Sequence, residues 1–148
     1  MPAKTQVKDI MTEGAYSVTV DDTLKKADDI MRKEQIRHIP VLEGSRFAGL
    51  ITRGKVMEYS LREYYDPESN FGDGGFNKII DFEDLMERET HVIYPEDSVQ
   101  KAIKLMAKYR LDCLPVVDWD MNLKGLLTFT DVLLFIHGKI DKGEFDNK

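Results

Sequence analysis

The chain contains the stretch His38-Ile-Pro-Val-Leu-Glu-Gly-Ser-Arg-Phe-Ala-Gly-Leu-Ile-Thr52. A similar stretch begins 75 residues later and reads Cys113-Leu-Pro-Val-Val-Asp-Trp-Asp-Met-Asn-Leu-Lys-Gly-Leu-Leu-Thr128. Each holds two apolar segments separated by a turn, which is typical of two adjacent strands. The match keeps its order and spacing except for one inserted residue, so we interpret the two stretches as copies of one structural unit.

The repeat extends outward from both stretches. Asp9-Ile-Met11 returns as Asp84-Leu-Met86. Short β-rich segments and then helices are predicted before each strand pair, because apolar residues recur at helical spacing. The apolar stripes are Leu24, Ala27, Ile30 and Met31 in the first copy, and Val99, Ala102, Leu105 and Met106 in the second. Thr23 and Ser98 stand where N-caps belong, and the last helix is predicted to stop at Gly138.

These elements predict an α/β (α+β) fold of two β-α-β-β-α repeats. The first repeat is assigned to residues 7–65 and the second to residues 79–138. A turn-rich linker is expected at residues 66–78 and a frayed tail at residues 139–148.

The amino-acid composition limits which partners and which cellular location the protein is expected to have. The 148 residues include 27 acidic and 21 basic side chains, a formal net charge of -6. This balance disfavours nucleic acid, because phosphate binding needs clustered Lys and Arg. Cys113 is the single cysteine, so no intramolecular disulfide is expected. The sequence shows neither a signal peptide nor a membrane-spanning stretch, and we expect a cytoplasmic protein.

The ordered motifs resemble the CBS domain family, and specifically its two-copy Bateman module. The matching motifs are Val7-Lys-Asp-Ile-Met11, Ile36-Arg-His-Ile-Pro-Val41 and Gly49-Leu-Ile-Thr52, then Asp84-Leu-Met86, Leu111 to Val117 and Gly125-Leu-Leu-Thr-Phe-Thr-Asp131. The resemblance implies two repeats packed sheet to sheet about a pseudo-twofold axis. It also implies clefts between them that hold adenosine-containing ligands, and association of two modules into a disc.

Thr128-x-x-Asp131 is the motif with the clearest chemistry. A helix N-terminus offers unpaired N–H groups, and a carboxylate there can accept two hydrogen bonds from a ribose diol. The resemblance gives this ribose-binding role to Asp131. Thr128 with Asp131 also fits a helix capping box, and capping and ligand binding are compatible. Lys55 stands at the corresponding position of the first repeat, and a lysine cannot accept from a diol.

The residues around the start of each strand pair differ in charge. The resemblance implies that Arg37 and His38 reach across a cleft to phosphate held by the other repeat. Their counterparts are Asp112 and Cys113, of which the aspartate would repel phosphate. We therefore predict one competent nucleotide site and one degenerate or differently used site.

The predicted ligand site is completed by Thr90, Val92 and Pro115. The resemblance places Thr90 and Val92 beside adenine, although core packing explains them equally well. Pro40 and Pro115 lie in predicted strands without a backbone donor, so each is expected at the start or edge of its strand, facing the cleft.

The sequence favours a regulatory module that binds an adenine nucleotide (AMP, ADP or ATP) and acts in trans on an effector protein. A ligand-free dimerising scaffold and a sensor of another adenosyl ligand such as S-adenosylmethionine are the alternatives. We find no nucleophile–base pair, phosphate-binding loop or metal-ligand spacing, and we expect neither catalysis nor a required cofactor. The apolar closing helices, around Tyr59 to Tyr65 and Val132 to Ile136, predict a homodimer.

Overall fold

The computed structural model of the chain describes residues 4–65, 85–88 and 90–144. These residues form two compact units: unit 1 draws on Met1–Ala15 and His91–Lys148, and unit 2 on Tyr16–Thr90. The elements in chain order are α1 (Val7–Ile10), β1 (Thr12–Glu13), β2 (Val18–Thr19), α2 (Leu24–Glu34), β3 (His38–Glu43), β4 (Arg46–Thr52), α3 (Arg53–Tyr65), α4 (Val99–Tyr109), β5 (Cys113–Val117), β6 (Leu123–Thr128) and α5 (Phe129–Asp141). The predicted mixed α/β class is confirmed.

Both units are built on one plan, a central hairpin with a short extended segment along each edge. In unit 2 the strand order is β2-β3-β4, and Leu50 of β4 exchanges both backbone hydrogen bonds with Glu87 on its outer side. In unit 1 the order is β1-β6-β5, and Ile93 bridges Val116 on the outer side of β5. The predicted strand pairs are thus the antiparallel hairpins β3-β4 and β5-β6.

The start of each repeat lies in the unit that holds the other repeat's hairpin. Helix α1 and strand β1 precede the first hairpin in sequence but belong to unit 1, and residues 85–87 belong to unit 2. Repeat spacing shows which positions correspond but not which copy a short segment packs against. The repeat boundaries 7–65 and 79–138 stay predictions, and the predicted linker 66–78 lies outside the described residues.

Helices α2 and α4 form as their stripes and caps predict. The Thr23 and Ser98 hydroxyls accept from the backbone N–H of Lys26 (3.2 Å) and Lys101 (3.1 Å), which confirms both N-caps. The stripe residues that these helices bury are Leu24, Ala27 and Met31 in α2, and Val99, Ala102 and Met106 in α4. These side chains supply part of the two apolar cores, one in each unit.

Helix α5 does not stop at Gly138, so that prediction is wrong. The helix continues to Asp141, and the Lys142 N–H donates to the Gly138 carbonyl at 3.2 Å. Glycine lowers helix stability by only about 1 kcal/mol relative to alanine, which is too little to end a helix whose neighbours favour it. Among the described residues, no helix is long and apolar enough to cross a membrane.

The two strand prolines occupy equivalent positions in the two units. Pro40 is the third residue of β3, the central strand of its sheet, so its predicted place at a strand start or edge is wrong. Its partner Leu50 gives its N–H to Glu87 instead, so the hairpin needs no donor from Pro40 at this pair. Pro115 is the third residue of β5, which pairs with β6 on one side and with Ile93 on the other, so the same prediction is wrong for Pro115.

Candidate functional site

Thr128 and Asp131 meet where β6 runs into α5. The Asp131 N–H donates to the Thr128 hydroxyl at 3.3 Å, and the Thr128 N–H donates to Asp131 Oδ2 at 3.0 Å. This reciprocal pair is a capping box with Asp at N3. The capping interpretation of the motif is therefore confirmed. It holds the carboxylate beside the free N–H groups of the first helical turn, where a negative charge is stabilised.

A third residue, Thr12, also contacts this carboxylate. Its hydroxyl lies 3.1 Å from Asp131 Oδ1 and 3.2 Å from Oδ2. In the described part of the chain, Oδ1 has no other hydrogen-bond partner. Sequence reasoning missed Thr12, because 119 residues separate it from Asp131.

Gly125 explains how Thr12 reaches this position. Strand β1 pairs antiparallel with β6, with Thr12 opposite Leu126 and Glu13 opposite Gly125. A Cβ atom at position 125 would lie 2.6 Å from the Thr12 carbonyl oxygen. Gly49 stands in the same relation to the Glu87 carbonyl, at 2.9 Å. The repeated glycine was the one sequence signal for this close approach.

The corresponding helix start in unit 2 has half of this arrangement. The Lys55 N–H donates to the Thr52 hydroxyl at 3.2 Å, so the threonine cap is kept. The Lys55 ammonium lies 3.6 Å from Glu58 and supplies no acceptor. Unit 2 therefore lacks the carboxylate that a ribose diol requires at this position.

Asp112 and Cys113 lie at the same end of unit 1 as the capping box. Cys113 pairs with Thr128 across the hairpin, and the Phe129 N–H donates to the Asp112 carbonyl at 3.1 Å. Burial, with smaller contributions from the negative charges of Asp112 and Asp131, raises the pKa of the Cys113 thiol to about 12. At neutral pH this thiol stays protonated, which makes it a poor nucleophile.

Arg37 and His38 lie at the equivalent end of the unit 2 hairpin. The Arg37 carbonyl accepts from the Arg53 N–H at 2.9 Å, and His38 is paired with Thr52 across the hairpin. Because these residues belong to unit 2 and Asp131 to unit 1, their predicted shared contact with one ligand stays a prediction. The assignment of Asp112 and Cys113 to a second cleft stays one as well.

Thr90 and Val92, the residues predicted beside adenine, differ in their burial and hydrogen bonding. The hydroxyl oxygen of Thr90 is buried and has no hydrogen-bond partner in the part of the chain that the structure describes. Val92 is half-buried and precedes Ile93, whose N–H donates to the buried Pro115 carbonyl at 3.0 Å. Unit 1 therefore brings the segment that holds Val92 beside Pro115 of β5. The binding roles of Thr90, Val92 and Pro115 stay predictions.

Two other surfaces of unit 1 were only partly expected. Trp119 is 83% exposed and stacks on Tyr94, with ring centroids 4.5 Å apart. An apolar groove of about 360 Å³ runs between α4 and α5, and its lining residues are Ile103, Met106, Ala107, Phe129, Val132 and Leu133. The described residues contain no group of three or more acidic, His or Cys side chains arranged to hold a metal ion.

Unit 2 has an ion-pair cluster in place of this groove. Its members are Asp28, Arg32 and Arg53, which correspond to Ile103, Ala107 and Phe129. Asp28, which is buried, pairs with Arg32 at 2.9 Å and with Arg53 at 2.8 Å. The two repeats thus differ on this helical face as they do at the Asp131 position. One is charged and internally paired, and the other is apolar and open.

Comparison with known proteins agrees with the repeat. The sequence profile of the CBS domain matches residues 7–62 and 82–138. The chain is 30% identical over 126 residues to inosine-5′-monophosphate dehydrogenase of Korarchaeum cryptofilum and 24% identical over 136 residues to homoserine O-acetyltransferase of Methanosarcina acetivorans. These alignments cover 85% and 91% of the chain, but the chain spans only 22% of the length of either enzyme.

Solved structures with the same fold include two that are in complex with adenosine compounds. The CBS domain pair of protein MJ0100, in complex with 5′-methylthioadenosine and S-adenosyl-L-methionine, has a TM-score of 0.72 at 22% identity, over 93% of this chain and 99% of that one. CBSX2 in complex with AMP has a TM-score of 0.71 at 20% identity, over 90% of this chain and 96% of that one.

Proposed function

Because this chain belongs to the CBS domain family, we propose that it is a non-catalytic regulatory module that binds an adenine nucleotide and acts in trans on an effector protein. AMP, ADP and ATP are the candidate ligands. S-adenosylmethionine is the alternative ligand, since it carries the same adenosine group. The cytoplasm is the proposed location, where Cys113 stays reduced.

One observation supports the proposal: at the start of α5, one oxygen of the Asp131 carboxylate accepts few hydrogen bonds. Oδ2 is held by the Thr128 backbone and hydroxyl, while Oδ1 meets Thr12 alone among the described residues. A carboxylate offers about four lone-pair sites, so acceptor capacity remains for a ligand hydroxyl. The three ligands of the two similar solved structures all contain adenosine, whose ribose presents a diol.

The proposed site is asymmetric between the repeats. Unit 1 has Asp131 at the helix start, and unit 2 has Lys55 there. Only the first of these can accept from a diol. We therefore propose one strong adenosine site per chain, in which Arg37 and His38 contact the phosphate and Thr90, Val92 and Pro115 contact the base.

A ligand-free dimerising scaffold is the second candidate, and a specific observation favours it. The Asp131 carboxylate already accepts internal hydrogen bonds from Thr12 and Thr128. Mutually paired groups at a binding site are what a scaffold without a ligand would show. The two candidates differ in whether any adenosine compound stabilises the fold.

A thermal-shift panel separates the two candidates. The purified, metal-free protein is heated with AMP, ADP, ATP, S-adenosylmethionine or GMP. At a ligand concentration of 100 Kd, binding to the folded state alone adds about 2.7 kcal/mol, which raises Tm by several degrees. We expect a shift with at least one adenosine compound and a smaller one with GMP. Equal, negligible shifts with all five would favour the scaffold.

We further expect a homodimer in solution. Both closing helices carry large exposed apolar side chains, namely Met57, Leu61, Tyr64 and Tyr65 on α3, and Phe129, Leu133, Leu134 and Ile140 on α5. Exposed apolar patches of this kind mark association surfaces. Light scattering at micromolar concentration should give twice the chain mass of 17.1 kDa.

The face involved can be tested by substitution. Leu133→Glu places a charge on the apolar surface and should shift the mass toward the monomer. Gln100→Glu adds the same charge at an exposed position of α4 and should leave the dimer intact. A wild-type mass of 17.1 kDa would refute the dimer prediction.

A further inference from the structure

The Thr12 hydroxyl occupies the acceptor that the proposed ligand requires. It donates toward both carboxylate oxygens of Asp131, at 3.1 and 3.2 Å. Oδ2 also accepts from the Thr128 N–H at 3.0 Å, a bond that caps α5. Because Oδ2 is used by the helix cap, Oδ1 is the oxygen that can accept a hydrogen bond from a ligand. The Thr12 hydroxyl already donates to Oδ1.

The backbone fixes Thr12 at this position. Strand β1 is paired with β6, and Gly125 allows the Thr12 carbonyl to approach within 2.6 Å of where a Cβ atom would stand. The preceding helix α1 is anchored in the same unit, because Val7 is fully buried and its N–H donates to the Asp97 carbonyl at 2.8 Å. Main-chain packing thus fixes the backbone of Thr12 beside Asp131.

The other repeat changes both positions together. Glu87 corresponds to Thr12 and makes the same backbone pairing, here with Leu50. Lys55 corresponds to Asp131. The hydroxyl donor and the carboxylate acceptor of unit 1 are thus replaced by a carboxylate and an ammonium in unit 2, where the Lys55 ammonium lies 3.6 Å from Glu58. Unit 2 therefore has neither the donor nor the acceptor of the Thr12–Asp131 pair.

We propose that Thr12 is an intramolecular competitor that sets the affinity of the site for ribose-containing ligands. This inference rests on the proposed adenosine site at Asp131. A ribose diol brings two donors to the carboxylate, and its full set of hydrogen bonds forms only when the Thr12 hydroxyl turns away. Ligand binding then weakens the Thr12 contact by the same factor by which that contact weakens ligand binding. Occupancy of the site is thereby coupled to β1.

The test is calorimetry with AMP on Thr12→Val and Thr12→Ser. Valine keeps the shape and strand preference of threonine but removes the donor. Losing a competing hydrogen bond should tighten AMP binding by about threefold to tenfold. Serine keeps the donor and should bind AMP as the wild type does. Thermal unfolding of each variant checks that the fold is retained.

A ligand without the diol isolates the competition. The Thr12→Val variant and the wild type should bind 2′,3′-dideoxy-AMP with equal affinity, because that ligand has no ribose hydroxyls to donate to the carboxylate. A purely structural effect of the substitution would change both ligands alike and would overturn the inference. Unchanged or weaker AMP binding by Thr12→Val would also overturn it.

Asp131→Ala distinguishes failure of this inference from failure of the proposed function. If Asp131→Ala loses AMP affinity while Thr12→Val does not gain it, the site stands and the competition is refuted. If Asp131→Ala binds AMP as the wild type does, or neither protein binds it, the proposed ribose contact fails and the competition fails with it.

Discussion

Replacing Asp131 with alanine is expected to weaken AMP binding by about tenfold to a hundredfold. The substitution removes the acceptor for two ribose hydroxyls, and hydrogen bonds to a charged group contribute about 1.5–3 kcal/mol each when fully formed. Part of that energy is offset because the same carboxylate already accepts hydrogen bonds from Thr12 and Thr128 in the free protein. Isothermal titration calorimetry measures the change directly.

Two controls separate ligand binding from helix capping. Thr128→Ala removes the threonine side of the capping box but keeps the carboxylate, so it should lower stability by about 0.5–2 kcal/mol and weaken binding less than Asp131→Ala does. Lys55→Ala should leave AMP affinity unchanged. An equal loss for Lys55→Ala would mean that the ligand binds at the other repeat, and unchanged binding in Asp131→Ala would mean that the motif is only a helix cap.

Replacing Gly125 with alanine is expected to destabilise the fold by about 1–3 kcal/mol. The new Cβ atom would lie 2.6 Å from the Thr12 carbonyl oxygen and 3.2 Å from the Met11 sulfur. The first contact is with backbone, which cannot turn away as a side chain does, so β1 must move off β6. Urea unfolding should show a lower midpoint at an unchanged m-value.

Gly138→Ala is the matched control for this prediction. A Cβ atom at position 138 meets nothing within 4 Å, and the residue lies inside α5. Alanine there should stabilise the protein by about 0.5–1 kcal/mol through its helix propensity. Equal unfolding midpoints for Gly125→Ala and wild type would refute the close approach of β1 and β6.

The regular elements could be predicted from sequence because their signals are local. The stripe of Leu24, Ala27 and Met31 and the cap at Thr23 both act within a few residues, and both are confirmed. The end of α5 could not be predicted, because the small unfavourable effect of Gly138 competes with helix-forming neighbours. Pro40 fits inside β3 because its partner Leu50 bonds to Glu87, and no local sequence pattern connects Glu87 with Pro40.

The site was predictable only in its local part. The capping box joins Thr128 and Asp131 within one turn, so spacing alone suggested it. The contact with Thr12 depends on an exchange of segments between repeats, which brings β1 to β6 over more than a hundred residues. The ion pair of Asp28 with Arg53 also depends on tertiary packing, since Arg53 lies on a different helix, whereas the pair of Asp28 with Arg32 is a local i, i+4 contact within α2. Side chains that meet through tertiary packing leave no periodic signal in one sequence.

The central claim is that the chain has one adenosine site that depends on the ribose diol, and a calorimetric titration of the wild-type protein with AMP tests it most directly. The same titration with 2′,3′-dideoxy-AMP is the reference. We predict saturable AMP binding at one molecule per chain, with dideoxy-AMP weaker by about tenfold or more. Two equal AMP sites per chain, or equal affinity for the two ligands, would contradict the assignment of Asp131 as the ribose acceptor.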